Sequence, residues 1–345
     1  MSWLVTGGAG YIGSHVVREF GSAGIDAVVF DDLSSGIESF VPEGVPFVRG
    51  SILDRGLVAD TIARHGVTGV VHVAGYKYAG VSVQRPLHTY DQNVTGTQRL
   101  LEAMADTGVD RVVFSSSAAV YGTPPTELVT EDTPKAPASP YGESKLIGEW
   151  LLRDQAVATG LRHTSLRYFN VVGSGAPDLY DASPHNLFPL VFDALAAGRT
   201  PRINGDDYAT PDGTCVRDYV HVADLAVSHV AAARRLDAGE SVEPAYNLGS
   251  GEGCRCARSW TPCARAPAST SPRDRAASSR RPRSDRGGRH PRGTRSRLDD
   301  APHPARDGHE RLGRGPSLVA AALGLSSSPG PRNRTPTRRG PLDPR

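Results

Sequence analysis

The chain has 345 residues and a net charge of +2, and its length permits one large α/β domain or two smaller ones. The overall charge conceals a division: residues 1–253 carry 18 Lys and Arg against 30 Asp and Glu, whereas residues 254–345 carry 21 Arg, no Lys and 7 acids. No stretch approaches the roughly 20 apolar residues of a membrane span, so the sequence predicts a cytoplasmic protein without a membrane partner.

The first predicted element is a strand, a tight turn and a helix of the kind that binds a dinucleotide. Trp3–Val5 is an apolar run, and the glycines at 7, 10 and 13 precede a helical pattern that continues to Phe20. Gly7 permits the turn, Gly10 lets the backbone approach a pyrophosphate, and Gly13 lets the helix pack closely on the strand. The sequence therefore predicts a nucleotide site at the start of this helix.

The second predicted strand indicates which dinucleotide binds. The run DAVVF is followed by Asp31 and Asp32, and Asp31 lies 18 residues beyond Gly13. This is the separation expected of the acidic residue in a dinucleotide-binding βαβ unit. A carboxylate at this strand end can accept hydrogen bonds from both ribose hydroxyls and would repel a 2′-phosphate. These residues therefore favour NAD over NADP.

The order of the remaining segments predicts the fold class. Apolar runs at 69–74, 111–116 and 164–169 alternate with helical stretches such as Thr89–Met104. This alternation predicts an α/β protein with a doubly wound parallel sheet of the Rossmann type. We expect an NAD-binding domain over residues 1–170. A smaller and incomplete substrate domain follows over 171–253, with a segment that returns to the main sheet.

A tyrosine and a lysine four residues apart predict a catalytic helix. Tyr141 and Lys145, in SPYGESKLIGEWLL, leave one face of an amphipathic helix. The lysine ammonium is expected to stabilise the phenolate and lower the tyrosine pKa toward neutrality, which makes the phenol a general base. Serines end the strand in VVFSSSAAVYG, and Ser117 is the hydroxyl expected to bridge the phenol and the substrate oxygen.

A series of motifs across residues 1–253 resembles the extended short-chain dehydrogenase/reductase family, and within it the UDP-glucose 4-epimerases. The motifs, in order and at the spacing of the family, are TGGAGYIGSH, AGYKYAGVSVQRPL, YDQNVTGT, FSSSAAVYG, PYGESK, LRYFNVVG, HNLFP and DGTCVRDYVHVADLA. The resemblance implies an NAD-dependent isomerase that interconverts UDP-glucose and UDP-galactose through a 4-keto sugar. It also implies a homodimer joined through a helix bundle.

The resemblance implies roles for residues at positions that match the motifs. Tyr141 would take the proton of the sugar 4-hydroxyl, Lys145 would hold the nicotinamide ribose, Lys77 would contact the cofactor, and Asn93 would fix the backbone beside it. The other implied cofactor contacts are Tyr11, Ile12, Ile52 and Phe169. The implied substrate contacts, besides Ser117 and Tyr141, are Asn170, Asn186, Leu187 and Arg217.

Two positions depart from the family pattern. Two of the implied substrate contacts, Asn186 and Arg217, could instead have purely structural roles. Ser51 and His185 stand where relatives frequently carry Asp and Asn, respectively. Asn186 could instead cap the helix that follows it. Arg217 suits a diphosphate because a guanidinium forms paired charged hydrogen bonds, although it could instead pair with a neighbouring aspartate.

Other functions are left open by the sequence. A nucleotide-sugar dehydratase would need an acid and a base directly after the strand-end serine, where this chain has Ala118 and Ala119. Epimerases of UDP-N-acetylglucosamine, UDP-glucuronate or UDP-xylose are alternatives within the family. A non-catalytic NAD-binding regulator is an alternative outside it, although such a protein does not need the Tyr, Lys and Ser set.

Residues 254–345 are predicted to be a disordered tail without a function. All Tyr, Phe and Ile residues lie before this segment, so it has little to bury. Its cysteines lack the spacing of a metal site, and no nucleic-acid partner is predicted because only Trp260 could stack on a base. With a permitted choice of codons, one restored base before Cys254 lets Cys254–Arg265 be read as a family-like strand and helix. At a second offset, Arg295–Gly313 can be read as the C-terminal end of the family. We therefore hypothesise that two single-base deletions put the tail out of frame, either in the gene or only in its reading; a disordered linker or a genuine basic arm is the alternative.

Overall fold

Seven parallel strands form the main sheet of the protein. The structure, a computed structural model, describes residues 1–203, 205–255 and the strand at 292–293. Its strands in chain order are β1 (Ser2–Thr6), β2 (Asp26–Asp31), β3 (Phe47–Arg49), β4 (Val67–His72), β5 (Arg111–Ser117), β6 (Leu128–Val129), β7 (Arg162–Tyr168), β8 (Asn170–Val172), β9 (Val216–His221), β10 (Ala245–Leu248), β11 (Gly253–Arg255) and β12 (Arg292–Gly293). The main sheet has the order β3-β2-β1-β4-β5-β7-β10, and its neighbouring strands are parallel.

Helices cover both faces of this sheet, as the doubly wound fold requires. The helices are α1 (Tyr11–Ser22), α2 (Arg55–Arg64), α3 (Ala79–Ser82), α4 (Pro86–Tyr90), α5 (Gly96–Thr107), α6 (Pro140–Thr159), α7 (Leu187–Ala196) and α8 (Val222–Asp237). Helices α1 and α8 pack together on one face, and α2 and α5 pack together on the other. The predicted fold class is confirmed. No helix among the described residues is long and apolar enough to cross a bilayer.

The hydrophobic core has two halves because side chains alternate along each strand. In β1, Trp3 and Val5 pack with Phe20 of α1 and Leu225 of α8, whereas Leu4 packs on the opposite face. All five side chains are fully buried. Strands that are buried on both faces explain the continuous apolar runs that the sequence shows at β1, β4 and β5.

A small second sheet begins directly after β7, at the start of the segment predicted to bind the substrate. Strands β8 and β9 pair in parallel, and β11 pairs with β9 in the antiparallel direction. The chain then returns to the main domain through α8 and β10, which pairs with β7. Strand β11 reaches Arg255, two residues past the predicted boundary at Gly253. Apart from residues 254–255 and 292–293, the predicted tail lies outside the described residues.

The helix predicted over Thr89–Met104 is interrupted. Helix α4 ends at Tyr90, a π-helical turn covers Asp91–Thr95, and α5 continues from Gly96. Such turns are rare and occur often at functional sites. This one carries the buried Asn93 toward the loop after β4.

A buried ion pair joins α6 to β7 beside the sheet end. Arg167 Nε donates to Glu149 Oε1 at 2.8 Å, and Arg167 Nη2 donates to Oε2 at 2.6 Å. Only 7% of the Arg167 side chain and 10% of the Glu149 side chain are exposed. Ser116 Oγ also donates to Glu149 Oε1 at 2.6 Å, and the Tyr121 hydroxyl accepts from Arg167 Nη1 at 2.7 Å. Each charge is therefore compensated within the protein.

Removal of one partner of this pair is expected to destabilise the fold strongly. Glu149→Ala should lower the free energy of unfolding by about 3–5 kcal/mol, because Arg167 would remain as an uncompensated buried charge. Urea denaturation followed by circular dichroism measures this change. The exposed pair of Arg153 and Asp154 provides the control, and Asp154→Ala should leave the midpoint nearly unchanged. Equal midpoints for the two variants would contradict the assignment.

Candidate active site

One cavity at the carboxyl ends of the parallel strands collects most of the predicted site residues. Its volume is about 1770 Å³, whereas a site for one small ligand has about 300–1,000 Å³, so this cavity has room for two. The predicted residues that line it are Gly7, Gly10, Tyr11, Ile12, Gly13, Asp31, Asp32, Ile52, Lys77, Tyr141, Lys145, Phe169, Asn170, Asn186, Leu187 and Arg217. Asn93 is placed beside this lining by its hydrogen bond with Tyr76, and Ser117 ends β5, the strand to which Lys145 bonds.

The glycine turn leaves no room for side chains where the predicted pyrophosphate would approach. A Cβ on Gly13 would lie 2.0 Å from Gly7 O, and one on Gly10 would lie 3.2 Å from the same oxygen. Gly7 has φ +70°, which favours glycine. Gly10 precedes α1, whose first turn contains no acidic residue. The backbone N–H groups at this helix end therefore present a positive potential that suits a phosphate.

Asp31 and Lys77 contribute the charged groups of the cofactor side. Asp31 Oδ2 accepts from Ala9 N at 3.0 Å, and Oδ1 accepts from Leu33 N at 2.8 Å. Burial raises the pKa of Asp31, while these backbone bonds oppose the rise. Burial lowers the pKa of Lys77, while the charges of Asp181 and Asp31 oppose that change. Asp32 is exposed and accepts from Ser34 N, so Asp31 is the carboxylate held at the strand end.

The catalytic helix begins beside the end of β5. Ser139 caps α6 by accepting a hydrogen bond from Gly142 N at 3.2 Å, and Pro140 occupies the first turn. This start places Tyr141 in the first turn of α6, beside the end of β5 at Ser117. Lys145, one turn further, donates from Nζ to Ser115 O at 2.8 Å. Tyr141, Lys145 and Ser117 therefore lie together between the start of α6 and the end of β5, and their catalytic roles stay a prediction.

The pKa of Tyr141 differs from the expected value near neutrality. Burial raises the pKa of the phenol, and the hydrogen bond from Ser117 only opposes the rise. Burial also lowers the pKa of Lys145 to about 8, against the opposing charge of Glu149. Lys145 Nζ lies 6.0 Å from the centre of the Tyr141 ring. The protein groups alone therefore do not give a phenolate at neutral pH.

Asn93 organises the loop that carries Lys77. Its Oδ1 accepts from Tyr76 N at 2.6 Å, and its Nδ2 donates to Tyr76 O at 3.0 Å and to Ser144 Oγ at 2.8 Å. Ser144 lies between Tyr141 and Lys145 on α6. Asn93 thus joins the π-helical turn, the loop after β4 and the catalytic helix.

Tyr11, at the start of α1, makes a similar connection across the cavity. Its hydroxyl donates to Gly173 O, just after β8, at 2.6 Å.

The predicted substrate residues lie on the opposite side of the cavity. Asn186 precedes α7 at the cap position but makes no capping bond with its side chain, which donates from Nδ2 to Asp181 Oδ2 at 2.6 Å. Asn170 Nδ2 donates to Asp218 O at 3.0 Å. Arg217 lines the cavity, and its Nη1 donates to Val216 O at 2.9 Å. Amide and guanidinium groups that could bind a nucleotide sugar therefore stand among the apolar residues at the start of α7.

The two departures from the family pattern have structural consequences. Ser51 Oγ accepts from Leu53 N at 3.3 Å, and Asp54 accepts from Leu57 N at 3.0 Å as the cap of α2. The carboxylate of Asp54 is thus used within the helix start. His185 lies 4.7 Å from Tyr78, measured between ring centres.

Sequence reasoning missed several aromatic and polar side chains of the cavity. These are Tyr76, Tyr78, His88, Tyr180, Asp181, Ser183 and Tyr219. Tyr76 and Tyr78 flank Lys77 in AGYKYAG, and this position beside a predicted cofactor contact could have indicated that they line the site. Asp181 lies five residues before the predicted Asn186 and bonds to it, but a lone aspartate in a loop follows no motif or periodicity that would have marked it.

Comparison with known proteins shows to which family the chain belongs. The model of the NAD dependent epimerase/dehydratase family matches residues 3–249. A UDP-glucose 4-epimerase from Azospirillum brasilense is 48% identical over 240 residues, which are 68% of this chain and 69% of the relative. A solved UDP-glucose 4-epimerase from Brucella ovis in complex with NAD has a TM-score of 0.70 at 42% identity, over 74% of this chain and 80% of that one. An epimerase from Bifidobacterium longum in complex with NAD+ and UDP has a TM-score of 0.69 at 38% identity, over 75% and 81% of the two chains. The likeness to these epimerases confirms the resemblance read from the motifs, and the chain belongs to the NAD dependent epimerase/dehydratase family.

Proposed function

We propose that the protein is a UDP-glucose 4-epimerase that interconverts UDP-glucose and UDP-galactose with NAD as its cofactor. The observation that carries this proposal is that Tyr141 and Lys145, beside Ser117 at the end of β5, line a cavity that also contains the glycine turn. The glycine turn and Asp31 fit the pyrophosphate and the adenosine ribose of NAD. The opposite wall, with Asn186 and Arg217, suits a nucleotide diphosphate. The cytoplasmic location expected from the sequence stays a prediction.

The chain's own groups would bind the sugar and move its 4-hydroxyl proton. Tyr141 accepts this proton through its phenol oxygen and returns it at the end of the reaction. Ser117 holds the sugar oxygen and the phenol in one hydrogen-bonded arrangement. NAD, when bound, supplies the acceptor and donor of the C4 hydride together with a positive charge that favours the phenolate. The buried ammonium of Lys145 adds to this charge, which offsets the raised pKa of the phenol.

The end of β5 argues against an elimination reaction. Ala118 and Ala119 begin the 3₁₀ turn directly after Ser117, and Ala119 N donates to Ser117 Oγ at 3.2 Å. Neither alanine can transfer a proton to or from the sugar. Epimerisation needs no further acid and base here, whereas loss of water from the sugar does.

We also propose that the protein forms a homodimer through α4 and α6. Leu87 on α4 is 82% exposed, and Trp150 and Val157 on α6 are 47% and 87% exposed. Trp150 and Val157 are seven residues apart and therefore lie on one face of the helix. Large apolar side chains exposed on neighbouring helices are typical of an association site. The two helices are neighbours in the fold.

Tyr141→Phe is expected to remove most of the activity while the protein still folds and binds NAD. Loss of the proton acceptor should lower kcat by about 10²- to 10⁴-fold. Conversion of UDP-galactose to UDP-glucose measures kcat, and absorbance of the bound nucleotide measures the cofactor content. Tyr90→Phe is the matched control, since the Tyr90 phenol bonds to Glu143 and should not affect turnover. Full activity of Tyr141→Phe would overturn the proposed role.

Lys145→Met is expected to move the acid limb of the pH profile to higher pH. The activity of the native enzyme should fall on the acid side as Tyr141 becomes protonated, because the proton acceptor is the phenolate. Loss of the ammonium removes a positive charge that stabilises this phenolate, so its pKa should rise. The profile of kcat/KM between pH 6 and 10 measures the shift. Lys135→Met is the control, and an unmoved limb in Lys145→Met would contradict the assignment.

A charge on the proposed dimer surface is expected to give monomers. Trp150→Glu should place a charge in the apolar contact, and light scattering after gel filtration should report the mass of one chain instead of two. Leu195→Glu on α7 is the matched control because Leu195 is 46% exposed on another helix. A native protein that is already monomeric at micromolar concentration would contradict the proposal.

A further inference from the structure

Two loops from different parts of the chain meet beside the cavity through Tyr78 and His185. Their ring centres are 4.7 Å apart with an interplanar angle of 75°, which is an edge-to-face contact. Both side chains line the cavity. Tyr78 follows β4 in the cofactor half, whereas His185 lies between β8 and α7 in the substrate half. The contact therefore bridges the two halves of the site.

On the substrate side, the loop around His185 is organised by the carboxylate of Asp181. Asp181 Oδ1 accepts from Ser183 N at 3.0 Å, and Oδ2 accepts from Asn186 Nδ2 at 2.6 Å. Burial raises the pKa of Tyr78, and a hydrogen bond from the Ser183 side chain opposes the rise. Tyr78 contacts this loop through its ring, which lies against His185. Its position is fixed relative to Asn186, the residue proposed for the diphosphate.

On the catalytic side, Tyr78 immediately precedes the short helix α3. Ser82, the last residue of α3, accepts a hydrogen bond from Tyr141 N at 3.2 Å. The Tyr76 ring lies 5.5 Å from the Tyr78 ring, and Lys77 Nζ lies 5.6 Å from its centre. Tyr78 is therefore connected through one short helix to the start of the catalytic helix.

These connections place Tyr78 and His185 along the span that the sugar must occupy. In a nucleotide sugar, C1 carries the diphosphate and C4 carries the reacting hydroxyl. With the diphosphate at Asn186 and the reacting hydroxyl at Tyr141, the sugar ring lies between the two residues. We infer that the rings of Tyr78 and His185 form a wall of the sugar subsite and limit the size of the sugar that the enzyme accepts. This inference rests on the proposed function.

The wall has a physical consequence for sugar selectivity. Each ring is held by its own loop and by the edge-to-face contact with the other ring, so neither can easily move aside. A hexose that carries an N-acetyl group in place of a hydroxyl is larger, and a rigid wall opposes it more than a wall without rings. Steric and packing differences of this kind change discrimination by about 10- to 200-fold.

The experiment compares the binding of three ligands to the full-length enzyme loaded with NAD. UDP-galactose, UDP-N-acetylgalactosamine and UDP are titrated by calorimetry into the native protein, Tyr78→Ala, Tyr78→Phe and His185→Ala. Removal of either ring is expected to shift the affinity ratio toward the N-acetyl ligand by about tenfold. Tyr78→Phe keeps the ring and should keep the native ratio. UDP has no sugar, so its affinity should stay unchanged in every variant.

Tyr180→Ala is the matched control for a change in the same loop. Tyr180 also lines the cavity, but its ring packs 5.1 Å from Phe40, on the side of the cavity that follows β2. This variant should keep the native ratio for the two sugars. A shift in Tyr180→Ala equal to that in Tyr78→Ala would show a general loosening of the loop and would overturn the inference.

The outcomes separate this inference from the proposed function. An unchanged affinity ratio in Tyr78→Ala and His185→Ala, with both ligands weakened equally, would assign the rings a purely structural role and overturn the inference. Failure of the native enzyme to convert UDP-galactose would contradict the proposed function, and the binding ratios would still report on the wall. Failure of all three UDP ligands to bind the native protein would overturn both.

Discussion

The hydrogen bond from Lys145 to the end of β5 is the constraint on which the site depends. Lys145 is 5% exposed and its ammonium donates to the carbonyl of Ser115 at 2.8 Å, so it fixes α6 on the strand. From the other face of the sheet, Ser115 Oγ and His229 Nε2 of α8 lie 2.8 Å apart. His229 Nδ1 lies 2.8 Å from Leu225 O, which only a protonated nitrogen can approach, so Nε2 accepts from the serine. The strand end is thus held from both faces.

A second polar network continues from this strand end to the edge of the sheet. Ser116, next to Ser115, donates to Glu149, and Arg167 joins Glu149 to the Tyr121 hydroxyl. Tyr121 donates in turn to Asn247 Oδ1 at 2.7 Å on β10. A buried polar group that loses its partner is costly, so a side chain of this series cannot move without disrupting the bond to the next one. The network explains how a strand that returns late in the chain supports a site built mainly from its first half.

The parts of the site that the sequence predicted are those in which chemistry and local spacing coincide. The glycine turn lies within one loop, so the spacing of its glycines is visible in the sequence. Tyr141 and Lys145 lie one turn apart in one helix, so helical periodicity shows that they share a face. The contact between Tyr78 and His185 depends on two loops more than 100 residues apart, and spacing carries no information about such a contact. The raised pKa of Tyr141 was missed for a related reason, because burial is a property of the assembled fold.

Strand β11 continues for two residues past the boundary predicted at Gly253, because backbone pairing makes few demands on the side chains. Cys254 and Arg255 continue β11 opposite Arg217 and Val216, although their side chains follow no strand pattern. A strand at the edge of a sheet pairs through main-chain N–H and C=O groups, which every residue except proline provides in full. Two residues can therefore extend the strand whichever reading frame encodes them. The family match ends at residue 249, so the likeness in sequence stops before the pairing does. Pairing of these residues with β9 is thus compatible with a change of reading frame at this boundary, which stays a prediction.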